Sequence, residues 1–170
     1  PWKNEGKDLA RLFKTGDAAD LQFSVKSGTE KHLQPEEGDI RVLFAQLNGK
    51  PAAILMAPVD EKAPETAKKQ YTSPVGTKTF DRVEAIDAEM KVKIDERHYT
   101  LTAVLPLRML GLELKPGMKV RGDAGFILSD AQGLINTTRT YWSNKNTNLV
   151  NDEPQESWLY PDAWGEFIFE

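Results

Sequence analysis

The chain has 170 residues, 39% hydrophobic and 28% charged, with 12 glycines and 10 prolines, the composition of one soluble globular domain rich in turns, long enough for a substantial core and short for two. A formal net charge of -4 and a pI near 5.3 argue against the basic face that a nucleic-acid partner requires. Without cysteine there is no disulfide, thiol chemistry or cysteine-ligated metal, and no apolar run approaches the roughly 20 residues of a membrane-spanning helix.

The opening Pro1-Trp2-Lys3-Asn4 does not read as a signal peptide, so the chain is expected to be a mature or excised piece. Strand patterns then dominate. Residues 17–26 alternate in their second half, Leu21, Phe23 and Val25 pointing one way and Gln22, Ser24 and Lys26 the other. Residues 40–47 and 51–57 flank Asn48-Gly49, a strong hairpin signal. Residues 59–76 combine prolines, charges and few large apolar side chains and read as a long surface loop.

Residues 77–86 read as one strand. Residues 90–94 set Met90, Val92 and Ile94 opposite Lys91 and Lys93, and residues 98–105 put Tyr99, Leu101, Ala103 and Leu105 on one face, with Asp95-Glu96-Arg97 turning between them. Residues 106–112 predict a helical turn with Pro106 at its start and Gly111 near its end. Residues 120–128 and 134–143 are strands joined across residues 129–133, and Phe167-Ile168-Phe169 is a last short strand. Short strands with frequent turns predict an all-β protein, an antiparallel β-sandwich of jelly-roll or immunoglobulin-like type with short helical turns, spanning residues 1–170 as one domain.

Tyr141-Trp142-Ser143-Asn144-Lys145-Asn146-Thr147 carries the clearest chemical signal. Two large rings stand beside amides and hydroxyls where a strand gives way to a polar loop, and such a mixture suits a ligand with an apolar face and a hydroxylated edge, such as a sugar. The alternative is that Trp142 plugs the core and the asparagines turn the chain. His32 and His98 stand singly, outside any metal-spaced pair, and serine nucleophile elbows, phosphate loops and HExxH are absent. Asp17, Asp20, Glu84, Asp123 and Asp130 could supply the two carboxylates of a glycosidase, but no pair is singled out. Asp17 and Asp20 suit calcium, or simply a turn end.

Three further patterns have bland readings. Arg121-Gly122-Asp123 spells an adhesion tripeptide at a strand start, and Asn136-Thr137-Thr138 is formally a glycosylation acceptor. Met90, Met118 and His98 include residue types that ligate haem iron, against which stands ordinary methionine packing.

Several segments resemble family 9 carbohydrate-binding modules within the DOMON-like sandwich group: residues 12–22 (LFKTGDAADLQ), residues 99–106 (YTLTAVLP) with Leu110-Gly111-Leu112, residues 121–125 (RGDAG), Tyr141-Trp142-Ser143-Asn144, and residues 158–165 (WLYPDAWG). The resemblance implies a non-catalytic module that holds sugar between aromatic side chains, in a larger secreted, periplasmic or envelope-associated bacterial protein. It places Trp2 and Asn4 before the aspartate-bearing strand, Asp17 at the first acidic position, Tyr141 and Trp142 on the late aromatic strand and Asn144 at its exit, with Trp158 and Trp164 less clearly matched. The expected ligand set is therefore Trp2, Asn4, Lys14, Asp17, Tyr141, Trp142 and Asn144, with no required cofactor and a structural calcium at Asp17 and Asp20. Haem-binding electron-transfer domains of the same group are the alternative. Related modules begin with further strands ahead of the Trp2 region; lacking them, the chain is expected to expose edges that invite self-association or pairing with a missing N-terminal segment.

Overall fold

The computed structural model describes residues 2–96, 98–146 and 154–170. Its strands are β1 (Ala18–Ser24), β2 (Asp39–Leu47), β3 (Lys50–Ala57), β4 (Lys69–Ser73), β5 (Gly76–Phe80), β6 (Arg82–Ile86), β7 (Glu89–Ile94), β8 (Tyr99–Val104), β9 (Lys119–Ser129), β10 (Asn136–Tyr141) and β11 (Gly165–Ile168), with two single-turn helices, α1 (Leu12–Thr15) and α2 (Leu107–Leu110). The antiparallel central sheet runs β10-β9-β1-β2-β3-β6, and β11 continues beside β9 beyond β10. The hairpins β4–β5 and β7–β8 cover its two faces, giving the all-β, sandwich-like architecture expected from the sequence.

One face carries Asp20 and the other Phe126. On the Asp20 face, Leu43, Ile54, Met56, Val83 and Ile127 pack under Leu12 and Phe13 of α1 and under Tyr71 and Phe80 of β4–β5. On the Phe126 face, Phe23, Val42, Phe44, Leu55 and Ile86 pack under Met90, Leu101 and Ala103 of β7–β8, with Leu112 after α2. Because side chains of a strand alternate between faces, β2 and β3 serve both cores and read as nearly continuous apolar runs.

The turn at Asn48-Gly49 has φ of 52° and 75°, the paired left-handed conformations of a type I′ hairpin, which Asn and Gly adopt at least cost. Gly111 closes α2 at φ 67°, as its spacing from Pro106 predicts.

Two expectations need correction. Residues 59–76 are not all surface loop, because β4 lies within them and inserts Tyr71, 2% exposed, into the core; one large ring among polar residues anchors that strand. Residues 77–86 are two strands in different sheets, with the break at Asp81. The 129–133 turn forms as expected, and the helical segment at residues 9–15, built around Leu12 and Phe13, had no predicted counterpart. Arg97 of the β7–β8 turn, Thr147 of the polar loop and Pro1 lie outside the described residues.

Candidate functional site

The Tyr141-Trp142 pair is divided by strand alternation. Tyr141 turns inward, 5% exposed, and its hydroxyl donates to Asp20 Oδ2 at 2.6 Å. Arg41 grips the same carboxylate, with Nε 3.0 Å from Oδ1 and Nη2 2.6 Å from Oδ2. Beside them Glu156 accepts from Lys14 Nζ at 2.8 Å and lies 3.4 Å from Arg139 Nη1, and Phe13 lies under the Arg41 guanidinium at 4.8 Å. Burial alone would lower the Arg41 pKa; the negative field of Asp20, with Tyr141 and Glu156, reverses this and raises it. Burial, followed by the Asp20 charge, pushes the Tyr141 phenol well above its ordinary value. The cluster ties α1 and the segment around Glu156 to the sheet, each of its two carboxylates being paired with cations of the cluster.

Trp142 turns outward. Its N–H continues the ladder to the Ala124 carbonyl at 2.8 Å, and its indole stacks on Phe167 of β11 with centroids 5.6 Å apart and planes 17° apart. Gly165 lies beneath the same ring, where an added Cβ would come within 2.4 Å of it. With one face backed by the sheet, Trp142 remains 55% exposed.

The platform runs on into a cleft. Thr140, two residues before Trp142, shares its face and is paired with Phe126 of β9, itself 49% exposed. Phe126 meets Tyr99 edge-on at 6.4 Å, and Tyr99 leans on the buried Trp2 at 6.4 Å. Asp17, His98, Tyr99, Phe126, Ser129 and Thr140 line a cleft of about 560 Å³ between the tip of β7–β8 and the ends of β9 and β10. The Tyr99 hydroxyl has no hydrogen-bond partner among the described residues. Burial, and then the Asp17 charge, raises its pKa to about 12.

The seven residues singled out in the sequence do not form one surface. Trp142 is the exposed platform, and Asp17 borders the cleft. Both Asp17 oxygens already accept from the protein, Oδ1 from Ser129 N at 2.7 Å and Oδ2 from Lys3 N at 2.9 Å. Trp2 is 4% exposed and supports Tyr99 from behind. Asn4 is buried, donating to the Leu12 carbonyl and accepting from Gly6 N and Thr15 Oγ1. Tyr141 and Lys14 belong to the charged cluster on the opposite face, and buried Asn144 is held through its N–H by Asp123. Of the other tryptophans, Trp164 is buried against Gln22, while Trp158 is 44% exposed beside Tyr160.

Asp17 and Asp20 are three residues apart in extended chain, an odd spacing that sends their side chains to opposite faces. They therefore do not share a calcium ion, and among the described residues no group of three or more metal-binding side chains gathers. His98 sits by the cleft at the far end of β9, whereas Met118 precedes its first residue. Eleven strand residues, about 35 Å, separate the two ends, so His98 and Met118 do not meet at one iron. Asn136 donates to the Phe13 carbonyl at 2.6 Å and is 3% exposed, which removes it as a glycosylation acceptor. Arg121, Gly122 and Asp123 are buried within β9, unlike an exposed adhesion loop.

Phe126, Phe167 and Tyr99 complete the site and were not singled out. Alternation of Ala124, Phe126 and Leu128 carried a signal for the first; the meeting of Phe167 with Trp142 depends on β11 registering against β9 and has no local signature. Comparison with protein-family models, with curated proteins and with solved structures gives no significant match.

Proposed function

We propose that this domain binds carbohydrate without breaking a bond, one saccharide ring lying on Trp142 and the chain continuing over Phe126 toward the cleft. The observation that carries this reading is the outward indole, backed by Phe167 and Gly165 and more than half exposed. A flat apolar face backed by the sheet suits the C–H face of a pyranose, while Thr140 and Ser129 supply hydroxyls along the cleft, a division of labour common to small-ligand sites. The resemblance to family 9 modules agrees with this chemistry and with a place in a larger secreted or envelope-associated protein.

A non-catalytic role is further supported by the five carboxylates considered for glycosidase chemistry. Each already serves the protein: Asp20 pairs with Arg41, Glu84 with Arg82, Asp123 accepts from Ala124, Ser143 and Asn144 N–H, Asp130 from Leu134 N–H, and Asp17 from Ser129 and Lys3.

Affinity electrophoresis through gels containing soluble polysaccharides tests the reading. The protein is expected to be retarded by at least one of them, and Trp142→Ala to migrate freely with an unchanged far-UV spectrum. Equal retardation of wild type and Trp142→Ala would refute it.

A further inference from the structure

Beyond the Trp142 platform, a second and larger concavity of about 750 Å³ opens on the Asp20 face, at the end where β1 runs into the loop before β2. Its floor is built by register. Phe23 pairs with Gly122 and Ser24 with Asp39, so Asp39, Ser24 and Arg121 form one row across β2, β1 and β9, each at least nine-tenths buried.

Two of these side chains are incompletely satisfied. Arg121 is 6% exposed, yet its one hydrogen bond among the described residues is a long one, Nη2 to the Pro161 carbonyl at 3.5 Å, and its Nε has no partner. Glu166 stands opposite it on β11 but is exposed and forms no ion pair with it. Asp39 uses Oδ2 for His32 Nε2 at 2.6 Å and for Glu36 N at 3.0 Å, while Oδ1 is buried without a partner among the described residues. A buried guanidinium with no carboxylate and a carboxylate oxygen with no donor each cost free energy unless something supplies the missing group.

The walls decide what that is. Lys26 and Lys31 oppose Glu30, Glu36 and Glu37, the one ring among the described lining residues is the His32 imidazole, held by Asp39, and no Phe, Tyr or Trp is among them. An ion of either sign entering this mixture meets like charges, and there is no surface for stacking. A hydroxyl both accepts from a guanidinium and donates to a carboxylate, so hydroxyls that reached the floor would suit both residues. We propose that this pocket is a second binding site, taking the hydroxyl edge of a neutral saccharide or similar polyol through Arg121, Asp39 and Ser24. This site does not depend on the Trp142 platform being one.

Chemical-shift mapping on the ¹⁵N-labelled full chain tests it, with glucose, galactose, mannose and xylose as separate probes and galacturonate and inorganic phosphate as charged counterparts. At least one neutral sugar is expected to shift amides between residues 24 and 39 and at Arg121. That binding should weaken about tenfold or more in Asp39→Asn, the equivalent of losing one hydrogen bond to a charged group, and persist in Trp142→Ala. The proposal is overturned if no neutral sugar shifts those amides, if the shifts are confined to residues 126–142, or if galacturonate or phosphate binds there more tightly. Mapping on wild type stands whether or not Asp39→Asn folds.

Discussion

The Tyr141 hydroxyl and Asp20 Oδ2 lie 2.6 Å apart, and Arg41 Nη2 reaches the same oxygen at 2.6 Å. A phenol and a guanidinium thus share one buried acceptor. Asp20→Ala removes the buried carboxylate that Arg41 grips and is expected to cost about 3–5 kcal/mol. Tyr141→Phe removes one bond to a charged group, about 1.5–3 kcal/mol. Replacing both ions in Asp20→Leu with Arg41→Met should be milder than Asp20→Ala alone, and urea unfolding of the four proteins checks the order.

Gly165 and Gly125 make a sharper pair. A Cβ at Gly165 meets the far edge of the Trp142 ring, whereas one at Gly125 meets the Thr140 carbonyl and the Tyr141 ring, each at 2.4 Å. The exposed indole can lift away; the backbone of a paired strand cannot. Gly165→Ala should keep the fold, shift the tryptophan emission and weaken polysaccharide retention. Gly125→Ala is expected to be destabilised by several kcal/mol, on the order of other core overpacking changes, as thermal unfolding would register.

Alkali should unfold the domain through its tyrosines. The folded pKa values of Tyr141 and Tyr99 lie above the ordinary value of 10.0, raised first by burial and then by Asp20 and Asp17 respectively. The folded state therefore holds these protons more tightly than the unfolded chain. The stability they contribute is complete below about pH 10 and is lost as pH rises toward the folded values. Urea midpoints should fall above about pH 10, and less steeply in Tyr99→Phe; a flat profile would contradict the assignment.

Asp17 fastens the chain's entry to the exit of β9, through Ser129 N and Oγ and through Lys3 N. Asp17→Ala leaves these donors without their acceptor and should cost about 1–3 kcal/mol. Because Asp17 also borders the cleft, hydrogen exchange should quicken at Lys3 and Ser129, which distinguishes loss of the fastening from loss of a ligand contact.

The architecture was legible wherever a local rule sufficed. Alternation located β1, β7 and β8, and Asn48-Gly49 located the β2–β3 hairpin. Tyr71 escaped because a single buried ring in a polar stretch leaves no periodicity. The site was half legible: the Tyr141-Trp142 dipeptide stood out, and the period of two required that only one of the pair face outward, yet which one depended on pairing with β9. Arg121 and Asp39, far apart in the chain, share a row only because β1 lies between them.

β9 alone carries β1 on one side and, end to end on the other, β10 and then β11. Trp142 leaves the first of these short strands and Gly165 begins the second, so the indole bridges the joint between them. The spacing of the two rings is therefore ruled off along β9, like two tiles butted on one batten, independent of the path the chain takes from one to the other. A one-residue slip of either short strand would turn its ring to the opposite face and dismantle the platform.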